Sequence, residues 1–490
     1  MLIHQNIICN QKSATLKRNA FILFVCSILS FTLLATDVKI ENIRVVNRED
    51  VLRTPLSVIF DLQWENAWSN NKNHDAVWVF MKFGTPWDNH VRLMPNGNKV
   101  LQNRIKESPQ PKIEVSKDGL GFLIYPSKIY RGEQNYKLQI LIDTTGQQIN
   151  NSKLNGLSIH ALEMVYIPKG KFTLGSPDEA AIKRAAFYKS DDEGKSKGQI
   201  TISSESAIDV AAKDNSLYYW SESEKYNGDQ QGPVPVEFPK GFNGFYIMKY
   251  ELTQGQYADF LNNLPDDWTF QRNPIGGKNY YKKRGGIRIV DGHYIADSPQ
   301  RPMNFVSFTD ALAFTDWAGL RPITELEYEK AARGPSTPIP AEFVWGTNSY
   351  DLIERYVDED SELVMKNNFD ESQLSDQSRP IFGASYYWVM DLSGSLWEKV
   401  ITIGNPIGRA FEGSHGDGKL SFGNATNPDW PKSDDEVGGF GYRGGGYYQI
   451  GTIYSDFNPH SPIGYRYYGA WSGGPRSIAY GYRAGRTSEN

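Results

Sequence analysis

A chain of 490 residues, 39% hydrophobic and 13% aromatic, is long enough for two or three folded domains and too rich in core formers for a disordered one. Its formal net charge of −5 argues against nucleic acid as a partner. The only two cysteines are Cys9 and Cys26, so residues 27–490 can supply no disulfide, thiolate metal site or cysteine nucleophile.

In chain order, Lys12, Lys17 and Arg18 precede an apolar run from Ala20 to Ala35. This reads as a secretory signal over residues 1–36, cleaved near Ala35 or Thr36. The run is short for a membrane span, so a membrane is expected as a partner only if the leader stays uncleaved. The leader carries three positive and no negative charges, and its removal takes the net charge from −5 to −8. The expected location is outside the cytoplasm: periplasmic, cell-surface or secreted.

Residues 37–150 predict an all-β, sandwich-like domain. Val58, Phe60, Leu62 and Trp64 alternate with polar or small residues, and AVWVFMKF at Ala76–Phe83 is apolar enough to be covered on both faces. Asp118-Gly119 is a hairpin signal. Trp64, Trp68, Trp78 and Trp87 are expected to pack a core, not to form a ligand platform. A second domain, α+β and irregular, is expected over residues 161–490, with a polar stretch from Ala186 to Gln231 as an exposed insertion. Thr253 and Gln256 are spaced as a capping box for a helix buried through Tyr257, Phe260 and Leu261. Phe308, Ala311, Leu312 and Trp317 continue with helical spacing in another helix.

The most locally specified stretch is WAGLRPITELEYEKAARG, Trp317–Gly334. Thr324 and Glu327 form a second capping box, acids lead and bases close the helix, and Gly334 is placed to stop it. Glu329 and Arg333, four apart, are expected to pair along the surface, and Ala331 and Ala332 permit a close backbone approach. So much local detail predicts a helix packed in a crowded place. This stretch resembles the R-L-P-T-E-x-E-W-E-x-A-A-R-G signature of the formylglycine-generating enzyme, or sulfatase-modifying factor, family. Phe343-Val344-Trp345-Gly346 is similar to the family's F-x-W-G, and Tyr482-Arg483-Ala484 to its closing G-F-R. The resemblance implies an irregular fold related to C-type lectins over about two thirds of the chain, and it does not reach the amino-terminal domain.

Asp391–Glu398, DLSGSLWE, is similar to the family's D-M-x-G-N-V-W-E loop. The resemblance implies a structural calcium held by Asp391, Gly394, Leu396 and Glu398; the alternative is a metal-free turn buried by Trp397. Arg443-Gly444-Gly445-Gly446-Tyr447 resembles the R-G-G-S-W that leads into the family's active site. The two cysteines that hold copper in formylglycine-generating enzymes fall by count on Gln449 and Tyr454, so no copper is expected. No catalytic residue is assigned. The histidines after the leader, His74, His90, His160, His293, His415 and His460, show no ligand-pair spacing.

In place of the cysteines stands an aromatic segment interleaved with Gly, Ser, Asn and Asp, the composition of a recognition surface. Tyr447, Tyr448, Gln449, Tyr454, Phe457, Tyr465, Tyr467, Tyr468 and Trp471 are the expected ligand-binding residues, with a protein or glycan as ligand. The competing expectation is an oxidoreductase or protein-modifying enzyme of the same superfamily that uses another metal, of the non-haem iron type.

Overall fold

The computed structural model describes residues 38–46, 56–83, 90–145, 156–220, 227–349, 351–357, 363–365, 374–432, 438–446, 461–474 and 476–489. The leader lies outside the described residues. Eight strands come first: β1 (Lys39–Val46), β2 (Ser57–Ser69), β3 (Asp75–Lys82), β4 (Lys99–Asn103), β5 (Pro111–Val115), β6 (Phe122–Pro126), β7 (Tyr130–Leu141) and β8 (Ser158–Ile167). One sheet runs β1-β2-β7-β4. The other runs β5-β6-β3-β8 and continues through Phe245–Met248 and Ala484–Thr487 to Arg321–Pro322. The sandwich expected over residues 37–150 thus forms, and one of its two sheets carries on into the following region.

Strand β3 explains why. Val77, Val79 and Met81 pack against Val58, Phe60, Leu62 and Trp64 of β2 in the sandwich core. Successive side chains of a strand point to opposite faces. Ala76, Trp78 and Phe80 therefore enter a second core with Phe260, Phe314 and Trp317. All eight residues of β3 are buried, as an apolar run covered on both faces requires. Trp78 donates from Nε1 to the Ala318 carbonyl at 2.9 Å, and Arg486 stacks 4.5 Å from its ring. Trp64 and Trp68 are buried too, while Trp87 lies outside the described residues. The Asp118-Gly119 turn joins β5 to β6, with Gly119 at φ 71°.

Three helices carry the rest of the argument: α1 (Gln254–Asn262), α2 (Phe308–Trp317) and α3 (Glu325–Arg333). All three open with a capping box, from Thr253/Gln256, Ser307/Asp310 and Thr324/Glu327. The second box was not anticipated, because an aspartate at the third position is outside the usual Ser/Thr–Glu/Gln pattern. No helix among the described residues is long and apolar enough to cross a membrane.

The Ala186–Gln231 stretch differs from expectation. Many of its polar residues do face solvent, but Ala186, Phe187, Tyr188, Leu217 and Tyr219 are buried, as are Ser190, Ser216 and Asn227. Phe187, Leu217 and Tyr219 join Phe308, Leu326 and Phe440 in one core cluster. A few aromatics set among many Ser, Lys and Asp residues give no periodic signal, yet they suffice to anchor short strands.

Candidate functional site

Helix α3 is where the site is built. Thr324 Oγ1 accepts from the Glu327 amide at 3.1 Å, and Glu327 Oε2 accepts from the Thr324 amide at 3.0 Å. All nine residues of the helix are buried. Gly334 ends it at φ 64°, ψ −146°, outside the left-handed helical region expected of such a stop. Glycine is still required, because a Cβ there would lie 2.4 Å from the Tyr386 ring.

The expected surface pair Glu329–Arg333 is corrected by this burial. Both side chains are at most 1% exposed, and their closest approach is 3.6 Å. Glu329 instead accepts from the Gly175 amide at 2.8 Å and from Arg443 at 2.7 Å. Arg333 donates to Glu342 at 2.5 Å and to the Thr173 and Gly175 carbonyls at 2.9 and 2.8 Å. Glu327 takes Arg321 bidentately at 2.8 and 2.6 Å.

Glu325 is the hub. Its carboxylate accepts from Arg466 Nε and Nη2 at 2.9 and 3.0 Å, Arg443 Nη1 at 3.2 Å, Thr402 Oγ1 at 2.9 Å and the Ile403 amide at 2.9 Å. Burial alone would raise its pKa, but Arg466 and then Arg443 hold it below the ordinary carboxylate value. Arg466 also sits in the corner formed by the Phe187 and Tyr219 rings, 4.3 Å from each ring centroid. Arg443 ends a strand, Phe440–Arg443, just before the aromatic segment, and Arg466 lies within it. Two carboxylates one helical turn apart thus pin both sides of that segment.

The same segment contributes to a group of aromatic rings. Trp397 meets Tyr468 edge-on at 5.3 Å; Tyr468 meets Trp471 at 5.5 Å and Tyr467 at 5.0 Å. Trp471 in turn meets Tyr442 at 5.6 Å and Tyr480 at 5.9 Å. Tyr467 is 38% exposed, Trp397, Tyr468, Trp471 and Tyr480 are half-buried, and Tyr442 is buried. The Lys399 ammonium lies 5.5 Å from the rings of Tyr442 and Tyr480. Tyr465, half-buried, packs under Arg184 at 4.8 Å. Tyr447, Tyr448, Gln449, Tyr454 and Phe457 lie outside the described residues. Trp397, Tyr442 and Tyr480 were not anticipated. They lie on three strands, 38 to 83 residues apart in sequence, and only the parity of Phe440–Arg443 hints that Tyr442 shares a face with Phe440.

In the turn expected to hold calcium, Asp391 is bound by Arg355 at 2.5 and 3.2 Å. Glu398 is bound by Arg483 at 2.6 and 2.7 Å. Gly394 turns at φ 97°, and Leu396 is buried with its amide donating to Glu251 at 3.0 Å. Ser395, where the family has Asn, donates to Glu251 at 2.5 Å. Burial and then the nearby Glu398 charge push Glu251 well above the ordinary carboxylate pKa. Both carboxylates of the expected ligand set are thus engaged by guanidinium groups, which a cation would have to displace.

The histidines are dispersed. His74 stacks on Tyr125 at 4.2 Å, His90 bonds the Leu120 carbonyl, and His415 Nε2 accepts from the Thr487 amide at 3.0 Å. His293 is exposed, and His460 lies outside the described residues. Among the described residues no group of three or more His, Cys, Asp or Glu side chains is arranged to hold a metal.

A family model for the sulfatase-modifying factor enzyme 1-like domain matches residues 155–404. The chain belongs to this family. The match begins at β8 and takes in all three capped helices and the Asp391–Glu398 turn, so the sulfatase-modifying-factor domain includes the strand that joins it to the sandwich. Its sequence is 31% identical over 115 residues to hercynine oxygenase of Mycobacterium tuberculosis, covering 21% of this chain and 27% of that protein. It is 46% identical over 55 residues to the formylglycine-generating enzyme of Thermomonospora curvata, covering 11% of this chain and 18% of that protein. The chain therefore matches less than a third of the length of either relative. Among solved structures, the major pilin subunit of Bacillus cereus superposes over 44% of this chain and 59% of its own, at 12% identity and a TM-score of 0.15, too low to carry an argument. The matched residues 155–404 contain no cysteine. Thiolate ligands would have to come from Cys9 or Cys26, both within the predicted leader.

Proposed function

We propose that this sulfatase-modifying-factor domain is a binding module, exported from the cytoplasm, that takes a protein or glycan on the aromatic surface around Tyr467, Tyr468, Trp471 and Trp397. The observation that carries this reading is the cluster of half-buried rings in edge-on and tilted contact, carried by a segment whose Arg466 is held by Glu325. Rigid aromatics give contact area at little entropic cost, and the buried Arg466–Glu325 pair anchors the backbone that carries Tyr467 and Tyr468. The test is Tyr467→Ala, which removes the most exposed ring. Stability is expected to change by no more than about 0.5 kcal/mol, since exposed side chains cost little on removal. Binding on a glycan array or to a candidate protein is expected to fall markedly, because aromatic anchors dominate interface energies. A steep drop in melting temperature with unchanged binding would overturn the proposal.

The likeness to an oxygenase favours one second reading, a metal-dependent oxidoreductase or protein-modifying enzyme of the non-haem iron type. Metal analysis of the purified full chain decides it: stoichiometric iron supports this reading, and its absence after iron loading removes it.

A further inference from the structure

Away from the aromatic surface, three side chains meet at the junction between the sandwich and the helices. His160 Nδ1 lies 2.6 Å from Asp259 Oδ2, and His160 Nε2 lies 2.9 Å from Ser158 Oγ. A carboxylate can only accept, so Nδ1 carries the proton of the neutral ring. Nε2 is then an acceptor, and the Ser158 hydroxyl lies within reach to donate to it. That is the order of roles in a serine hydrolase: nucleophile, base, and a carboxylate that holds the base in the right tautomer. We propose that Ser158, His160 and Asp259 form a nucleophilic acyl-transfer site that acts on carboxylic esters.

Local structure sets this up from sequence spacing. Ser158 and His160 are two apart on β8 and so share one face of the sheet. Asp259 lies on α1, which packs over that face, and Asn263 caps the end of the helix. Phe80 and Trp317 grip the imidazole at 5.1 and 4.6 Å and leave its ring plane little freedom. His160 is 4% exposed while Asp259 is 52% exposed, so the carboxylate lies at the solvent edge and the base inside. Lys82 of β3 is the cross-strand partner of Ser158, and its buried ammonium is directed to the Gly418 carbonyl at 2.7 Å. The Ser158 hydroxyl has a single proton, which in the resting arrangement goes to Asn263 Oδ1 at 3.1 Å, so Ser158 must turn that proton to His160 Nε2 to be activated.

In the step proposed, Ser158 Oγ bonds to the acyl carbon as its proton passes to His160 Nε2. Collapse of the adduct breaks the bond to the alcohol oxygen, which leaves with that proton. Water then repeats both transfers, releasing the carboxylic acid and restoring the serine. No oxidant or cofactor enters the balance.

The full chain is treated with a fluorophosphonate probe and assayed with p-nitrophenyl acetate. Mass spectrometry is expected to place one adduct on Ser158, and Ser158→Ala to abolish both adduct and turnover. His160→Gln is expected to slow both by roughly 10²- to 10⁴-fold. Because His160 is buried, that variant can fail to fold; Asp259→Asn, on a half-exposed side chain, is the second arm. It is expected to slow labelling strongly with an unchanged melting temperature. Absence of an adduct on Ser158 of the folded wild-type chain, or labelling undiminished in Asp259→Asn, overturns the proposal and leaves a hydrogen-bond network that only joins β8 to α1.

Discussion

Strand β3 and helix α3 are buried to the same degree by opposite means. β3 reaches full burial through the apolar run Ala76–Met81, whose alternate residues fill two cores, with Asp75 and Lys82 at its ends held by polar partners. α3 reaches it with five charged residues in nine, each held by a partner: Glu325, Glu327, Glu329, Lys330 and Arg333. The difference teaches what each can do. Apolar packing is non-directional and tolerates substitutions that conserve volume. A buried ion network fixes distances and angles, but its desolvation cost leaves little net gain in stability. In this molecule the apolar wall joins two regions, and the ionic helix positions one segment of chain.

The largest expected effect breaks the ionic side. Glu325→Ala leaves Arg443 and Arg466 buried without their shared carboxylate and should cost about 3–5 kcal/mol in urea unfolding. Replacing Arg466 by Met in the same chain should return part of that loss, because an apolar neighbour needs no counter-charge. If the double variant is no better than the single, the carboxylate serves the fold through Thr402 and Ile403 instead. On the apolar side, Trp78→Ala should cost a similar 3–5 kcal/mol, through a cavity beneath Arg486. No second substitution restricted to charge should rescue it.

A smaller effect concerns Asp316 of α2, whose carboxylate accepts from the Asp417 and Thr426 amides at 2.9 and 2.8 Å. Burial raises its pKa to about 6 from an ordinary 3.8, although the Thr426 amide opposes the rise. The folded state therefore binds the proton more tightly than the unfolded chain, and this stabilising contribution is lost as pH rises through about 6. Relative to Asp316→Asn, the wild type should gain stability as pH falls from 6 towards 4 and show a flat difference above that window. Urea melts of both proteins across the range check the sign.

The smallest effect is expected from calcium. With Asp391 and Glu398 engaged by Arg355 and Arg483, adding calcium or a chelator should leave the melting temperature nearly unchanged. A shift equivalent to about 2.7 kcal/mol, the value for a hundredfold excess over Kd, would mean that the ion displaces both arginines.

Much of the fold was legible because it is written locally. The capping boxes at Thr253 and Thr324, the β2 alternation and the two-faced apolar run of β3 need only neighbouring residues to be read. The sites were less legible. Arg443 and Glu325 are 118 residues apart, and an acidic helix face looks the same in sequence whether it meets water or two arginines. That is why Glu329–Arg333 reads as a surface pair although it is buried. Trp397, Tyr442 and Tyr480 join the aromatic group for a similar reason, brought together by strand pairing that no spacing announces.

By itself the sequence determined the class of protein, the capped helices, the alternation that makes a sandwich and the exclusion of thiolate chemistry after Cys26. These depend on residue type and short-range periodicity, which survive without a fold. Only the tertiary structure decided that β3 and β8 carry one sheet through both regions, that Glu325 clamps Arg443 and Arg466, and that Ser158, His160 and Asp259 meet. Each of these rests on contact between residues far apart in the chain, and a linear pattern does not encode which distant side chain will satisfy a buried charge or hydrogen bond.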